Sequence, residues 1–129
     1  MGAELFRREF EAGNVEAVLA DFAEDIVVYH PGSIEPSTSR AYHDVLFPAL
    51  RELFGEDFRF SDAVPVQAHG RRYTLLPWST VIDGIEAEGV DFVREAEDGR
   101  VCELRLLVRP REAGEAIHMK MRGKIGRPQ

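Results

Sequence analysis

The sequence has little cysteine, no long apolar run and no excess of basic residues. Its one cysteine, Cys102, leaves no partner for an internal disulfide. No stretch reaches the roughly 20 apolar residues that a membrane-spanning helix needs. The 16 Lys and Arg are outnumbered by 23 Asp and Glu, for a net charge of −7 over 129 residues. Because such a chain repels phosphate backbones and anionic lipid surfaces, we expect it to bind neither nucleic acid nor a membrane. Together with the single cysteine and the lack of a membrane-spanning run, this predicts a cytoplasmic protein.

Several motifs for specialised sites are also absent. The four histidines do not have the spacing of metal ligands, and no Cys/His cluster accompanies them. There is no Gly-rich phosphate loop and no nucleophile elbow. We therefore expect neither a metal nor another cofactor. His43 falls on the polar face of a predicted helix and His69 at a predicted turn, so both are expected to be exposed.

The hydrophobic periodicity predicts a single α+β domain over residues 1–129. Asp-Gly and other Gly-containing turns separate the later segments, which indicates an antiparallel meander. Helices are predicted at about 3–12, 14–23, 40–54 and 112–122, and strands at about 25–30, 58–68, 72–82, 85–96 and 101–109.

One predicted hairpin places an acid on an apolar strand face. If Asp98-Gly99 is a two-residue loop, Asp91 lies opposite Leu106. The same face carries Val93, Leu104 and Val108. Cys102 also falls on this face and is predicted to be a small core hydrophobe. An unpaired carboxylate on such a face costs several kcal/mol or takes up a proton.

A second hairpin agrees on the side that Asp91 occupies. With Asp83-Gly84 as its loop, Leu76 lies opposite Asp91, and Trp78 lies opposite Gly89. The largest side chain thus faces the residue without one, a pairing that suits a packed concave face. The sequence therefore predicts that Asp91 and Trp78 are neighbours.

Three segments of the chain resemble the nuclear transport factor 2-like superfamily, in particular its SnoaL-like and ketosteroid isomerase-like branch. The segments are Ala12-Gly13-Asn14, Tyr29-His30-Pro31-Gly32-Ser33 and Val90-Asp91 with Asp98-Gly99-Arg100-Val101. The resemblance implies a cone in which a curved antiparallel sheet wraps around N-terminal helices. It also implies an apolar pocket that opens at one end.

The resemblance further implies candidate site residues. Ketosteroid isomerases combine a carboxylate base, a tyrosine and a protonated acid. Asp91 falls at the position of the protonated acid, His30 at that of the base, and Phe6 at that of the tyrosine. His30 and Asp91 are therefore the candidate catalytic pair for isomerase or cyclase chemistry on a small hydrophobic carbonyl compound. The predicted lining comprises Trp78, Tyr29, Phe6, Leu76, Tyr42 and Leu106.

Two alternatives stay open at this point. The same cone serves non-catalytic binders of a small apolar molecule and protein-interaction modules. Asp91 could also be a structural acid that is bonded to the Trp78 indole or to a backbone amide.

A band of Leu75, Val90, Phe92 and Leu107 on the outer face of the sheet predicts an isologous homodimer.

Overall fold

A computed structural model describes residues 2–31 and 33–125 of the chain. The order of its helices and strands confirms the predicted α+β plan. The helices are α1 (Gly2–Ala12), α2 (Val15–Ala20), α3 (Arg40–Phe54) and α4 (Arg111–Ile125). The strands are β1 (Phe22–Tyr29), β2 (Arg59–Phe60), β3 (Val64–Ala68), β4 (Arg71–Ile82), β5 (Ile85–Glu95) and β6 (Val101–Arg109). Within the described residues, no helix is long and apolar enough to cross a membrane.

The strands form one curved, unclosed mixed sheet. Its strand order is β1-β6-β5-β4-β2, and β3 also pairs with β4. The prediction of a purely antiparallel sheet is wrong at one edge, because β1 runs parallel to β6. A short apolar strand carries no sign of its direction in its own sequence, so this pairing depends on the chain that connects the two strands.

The predicted registers of the two long hairpins are confirmed at the residues that matter for the site. Across β4 and β5, Leu76 pairs with Asp91 and Trp78 with Gly89. Across β5 and β6, Asp91 pairs with Leu106. Because side chains alternate along a strand, these pairs place Asp91 and Trp78 on the same inner face of the sheet.

The β5–β6 turn differs from the predicted two-residue loop. Ala96 and Arg100 close it, since the Ala96 N–H donates to the Arg100 carbonyl at 2.8 Å. Gly99 has a φ of 89°, as a three-residue loop that ends in a glycine bulge requires. The register shifts beside the turn, and Val101 takes the core position at 1% exposure. The prediction that Cys102 is a core residue is therefore wrong, because Cys102 is only partly buried.

The other boundaries that differ follow from tertiary pairing. The predicted 58–68 strand is two short strands, β2 and β3, which pair with different parts of β4. β1 starts earlier than predicted, because Phe22 is fully buried and pairs with Val101. Ser39 caps α3 by accepting a hydrogen bond from the Tyr42 N–H at 3.1 Å.

The hydrophobic core lies between the helices and the inner face of the sheet. It is rich in phenylalanine, and several of these rings stack or meet edge to face. Arg51 of α3 ties two helix ends together beside this core. Its guanidinium donates to the carbonyl oxygens of Phe10 and Glu11 at 2.7 and 2.8 Å, and to that of Gly55 at 2.8 Å.

Candidate functional site

Asp91 is a buried acid on the inner face of β5. Its side chain and backbone together are 5% exposed, and its cross-strand neighbours are Leu76 and Leu106. The Trp78 indole N–H donates to Asp91 Oδ1 at 3.0 Å. A structural partner for the acid, one of the alternatives left open by the sequence, is thus present.

Gly89 allows Trp78 to reach Asp91. A Cβ at position 89 would clash with the Leu107 carbonyl oxygen and with the six-membered ring of Trp78, because it would lie much closer to both than van der Waals distance. The indole therefore occupies the space that any other residue at 89 would fill. Phe54 and Phe58 pack on the indole, at centroid distances of 4.9 and 5.6 Å, and fix its position.

Burial raises the pKa of Asp91 from its ordinary value of 3.8 to about 7, against a smaller opposing effect of the Trp78 hydrogen bond. Both the neutral and the ionised carboxyl are therefore well populated near neutral pH. The neutral form offers an O–H that can donate to a ligand, and the ionised form is an acceptor. A carboxyl that changes protonation state near neutral pH is suited to hydrogen bonding or proton transfer.

A small cavity lies against this carboxyl and is otherwise apolar. Its volume is about 30 Å³, enough for a water molecule or two. Sites for drug-sized molecules have roughly 300–1,000 Å³, so a ligand must displace side chains to enter. The cavity is lined by Asp91, Trp78, Phe6, Phe10, Pro31, Phe47, Leu50, Phe54, Leu106, Leu107, Val108 and Ile117. We call it the Asp91 cavity.

The structure brings four of the eight predicted site residues to the Asp91 cavity, namely Asp91, Trp78, Phe6 and Leu106. Leu76 is fully buried beside Asp91 but is not among the cavity-lining residues. The other three, Tyr29, His30 and Tyr42, do not line the cavity either. Tyr42 is buried on α3, and Tyr29 and His30 face a different depression.

His30 follows the end of β1, next to Pro31 of the cavity wall. Its Nε2 atom is buried and has no hydrogen-bond partner among the described residues. Burial lowers the pKa of His30, and the charge of His118 lowers it further. The imidazole is therefore neutral at pH 7, the form that can accept a proton.

His43 is fully buried, so the prediction that it is exposed is wrong. Its Nε2 lies 2.8 Å from the Ser37 hydroxyl, which belongs to the loop between β1 and α3. The pair ties that loop to the helix. His69, by contrast, is exposed as predicted, at the turn between β3 and β4.

A larger depression, which we call the outer groove, lies on the opposite side of the Asp91 cavity wall. Its volume is about 410 Å³, and Pro31, Leu106 and Leu107 line both spaces. Its remaining lining is Tyr29, His30, Ser33, Ala68, His69, Tyr73, Phe92 and Arg105.

Glu103 lies on the outer face of the sheet and is nevertheless 2% exposed. Arg94 and Arg105 donate to it through their Nε atoms at 2.8 and 2.5 Å, and the Tyr73 hydroxyl donates at 2.9 Å. Arg71 is within 3.5 Å. Burial acts to raise the pKa of Glu103, but the hydrogen bonds from Arg94, Arg105 and Tyr73 prevail and lower it. Glu103 was not among the predicted site residues; its cross-strand pairing with Arg94 is the signal that could have identified it.

Within the described residues, no group of three or more His, Cys, Asp or Glu side chains could hold a metal ion.

Comparison with known proteins identifies the fold. No model of a known protein family matches the chain, and no curated protein is similar in sequence. An uncharacterised protein with a cystatin-like fold from Silicibacter pomeroyi DSS-3 is similar in structure, with a TM-score of 0.82 and 20% identity over 95% of this chain and 83% of that one. A steroid delta-isomerase from Pseudomonas aeruginosa has a TM-score of 0.79 and 21% identity, over 93% of this chain and 85% of that one.

An NTF2-like protein of unknown function from Exiguobacterium sp. 255-15 is also similar, with a TM-score of 0.64 and 13% identity over 84% of this chain and 98% of that one. The chain thus has the cystatin-like, NTF2-like α+β fold that its sequence resembles. Proteins with this fold in the comparison include both an isomerase and proteins of unknown function, so the fold leaves the activity open.

Proposed function

We propose that the protein binds a small apolar carbonyl compound in the Asp91 cavity, with the neutral Asp91 carboxyl donating a hydrogen bond to the carbonyl oxygen. One observation carries this proposal: a single carboxyl, whose pKa is about 7, lies in a cavity that is otherwise apolar except for the Trp78 indole. A ligand oxygen that reaches the carboxyl would find a donor in a site with little water to compete. The ligand would enter by displacing phenylalanine side chains of the lining.

Acid–base catalysis at the same site is the second candidate function. His30 supports it, because its Nε2 has no hydrogen-bond partner among the described residues, the imidazole is neutral at pH 7, and its chain neighbour Pro31 lines the cavity. In such an enolisation His30 would take the proton from the carbon next to the carbonyl, and Asp91 would hydrogen-bond the enolate oxygen. Binding is the better supported of the two, because His30 does not line the cavity as the chain stands.

Cyclohexanone and methylenecyclohexane are matched probes for the binding proposal, since they differ mainly in the carbonyl oxygen. Trp78 is the only tryptophan of the chain, so its fluorescence reports events at the cavity. We expect the ketone to bind more tightly than the hydrocarbon at pH 6, and its advantage to disappear by pH 9 as Asp91 ionises. Asp91→Asn keeps an N–H donor at every pH and should bind the ketone without that loss. Equal binding of both probes at pH 6 would refute the proposal.

Deuterium exchange distinguishes the enzyme from the binder. In D₂O, catalysed enolisation would replace the α-hydrogens of cyclohexanone, which proton NMR follows directly. We expect His30→Gln to stop this exchange while leaving ketone binding unchanged if the second candidate is correct. Wild-type exchange at the rate of buffer alone, with normal binding, would leave the non-catalytic binder.

A homodimer through the outer face of the sheet is the proposed assembly. Leu107 of the predicted band is 54% exposed. The charges of this face support a two-fold arrangement: Arg71, Arg94 and Arg105 surround Glu103 at one end, and Glu86 and Glu88 accompany Arg109 at the other. A two-fold axis through the middle of the face would bring each positive end onto a negative one.

Sedimentation tests the dimer directly. We expect the wild type to sediment as a dimer and Phe92→Glu as a monomer, because a charge in the middle of an apolar contact is costly. Val45→Glu is the matched control, since Val45 is 51% exposed on α3, away from the sheet. A monomeric wild type would contradict the proposed assembly.

A further inference from the structure

We propose that the outer groove is a binding site for a small aromatic carboxylate, separate from the Asp91 cavity. With about 410 Å³, it falls within the size range of small-molecule sites. The proposal rests on the chemistry of its walls and does not depend on the function proposed for Asp91.

The charge of the groove favours an anion. None of the described residues that line it is an acid, although acids outnumber bases in the chain by 23 to 16. Glu103, the carboxylate that contacts Arg105, is buried beneath three arginines. Its single negative charge offsets only one of their three positive charges, so this end of the face carries a net positive charge. Arg105 is the arginine that lines the groove, and its side chain is 35% exposed. A ligand carboxylate could reach this guanidinium without first displacing an acid.

The walls favour a flat, aromatic body. The Arg105 Cζ lies 4.0 Å from the centre of the Tyr29 ring, so the guanidinium lies over the ring in a cation–π contact. Tyr73 and Phe92 meet edge to face at 5.8 Å on the same lining. A bicyclic ring system would gain contacts with these three rings and hold its carboxylate beside Arg105.

Polar groups at the rim could add to the recognition of the carboxylate. His30, Ser33 and His69 all line the groove, although Nε2 of His30 is itself buried. The groove therefore offers several hydrogen-bond donors or acceptors around an aromatic floor. This combination of few polar groups with aromatic walls is typical of small-molecule sites.

The test compares 2-naphthoate with 2-naphthalenemethanol, which has the same rings and no charge. Titration calorimetry is carried out at concentrations at which sedimentation finds the monomer, because Phe92 and Leu107 belong both to the groove and to the proposed dimer contact. Where a dimer forms, 2-naphthoate should shift it toward the monomer. We expect 2-naphthoate to bind more tightly than the alcohol, and added salt to reduce the difference. Arg105→Gln should weaken 2-naphthoate binding about tenfold or more, because it removes a charge-assisted hydrogen bond.

Arg109→Gln is the matched control. Arg109 lies four residues after Arg105 along β6 on the same face, pairs with the exposed Glu88 and does not line the groove. The Arg109→Gln variant should bind 2-naphthoate as the wild type does. Asp91→Asn should also bind it as the wild type does, which would show that this site is separate from the Asp91 cavity.

Amide NMR of the wild type locates the ligand without any variant. We expect 2-naphthoate to shift the signals of Tyr29, His69 and residues 105–107. The proposal is overturned if the alcohol binds as tightly as the acid, if Arg109→Gln weakens binding as much as Arg105→Gln, or if the shifts centre on Phe6 and Phe54 in the Asp91 cavity.

Discussion

Replacement of Asp91 by asparagine should change how the stability of the protein depends on pH. Asp91 binds its proton more tightly in the folded chain than in the unfolded one, because burial raises the folded pKa to about 7 from 3.8. Its favourable contribution is therefore complete below pH 3.8, decreases as the pH rises, and is lost once the pH passes about 7. Asparagine has no such proton, and its side-chain oxygen can still accept the Trp78 N–H.

The size of the effect follows from the pKa difference. At about 1.36 kcal/mol for each pKa unit, the shift from 3.8 to about 7 corresponds to about 4 kcal/mol of unfolding free energy. Urea unfolding of the wild type and Asp91→Asn, at half-unit intervals from pH 4 to pH 8.5, measures it. We expect the wild type to lose stability relative to the variant by about 1.4 kcal/mol for each pH unit across the middle of this range.

The difference between the two proteins cancels the titration of all other groups. Asp62→Asn, at an exposed carboxyl, shows how much an exchange of this kind alters the profile by itself. Parallel curves for the wild type and Asp91→Asn would refute the assignment of a raised pKa. A wild type that gains stability relative to the variant as the pH rises would show the opposite shift.

Two further substitutions test the packing around the site and the outer face. Gly89→Ala should cost about 2–3 kcal/mol and alter the fluorescence of Trp78, since the new methyl group takes the space of the indole. Gly123→Ala, with open space around it in α4, should be neutral or slightly stabilising by the same urea assay. Glu103→Gln should cost about 2–3 kcal/mol because it removes the buried anion that accepts from Arg94 and Arg105, whereas Glu88→Gln at an exposed pair should cost less than about 1 kcal/mol. Equal losses within either pair would contradict the structural reasoning.

The hairpin registers could be predicted because turn chemistry and strand alternation are both local. Asp83-Gly84 fixes which residue of β4 opposes which residue of β5, and a period of two then fixes the face. The meeting of Trp78 with Gly89 and the burial of Asp91 follow from that rule. Asp98-Gly99 is less decisive, because an Asp-Gly pair also ends a three-residue loop with a bulge. The longer loop shifts the register beside the turn, so Cys102 does not take the core position that a two-residue loop predicts.

Tertiary partners could not be predicted from the same signals. His43 counts as polar in a helical pattern, and nothing in that pattern shows that Ser37 approaches it from the preceding loop. The burial of Glu103 likewise depends on Tyr73 and Arg71, which belong to a different strand. The location of His30 on the outer groove depends on how the chain leaves β1 after Tyr29. Such contacts are set by the packing of whole elements.

The pairing of β1 with β6 also determines when the chain can fold during its synthesis. β1 lies at the edge of the sheet, and its strand partner within the described residues is β6, at 101–109. The N-terminal end of α1 is tied to the same late region, because the Ala3 N–H donates to Glu95 Oε2 at 2.8 Å. The apolar side chains of the first helices and of Phe22 therefore stay exposed until most of the chain has been synthesised. We expect nascent chains that end before residue 100 to be sensitive to protease, and chains in which residue 109 has left the exit tunnel to be protected.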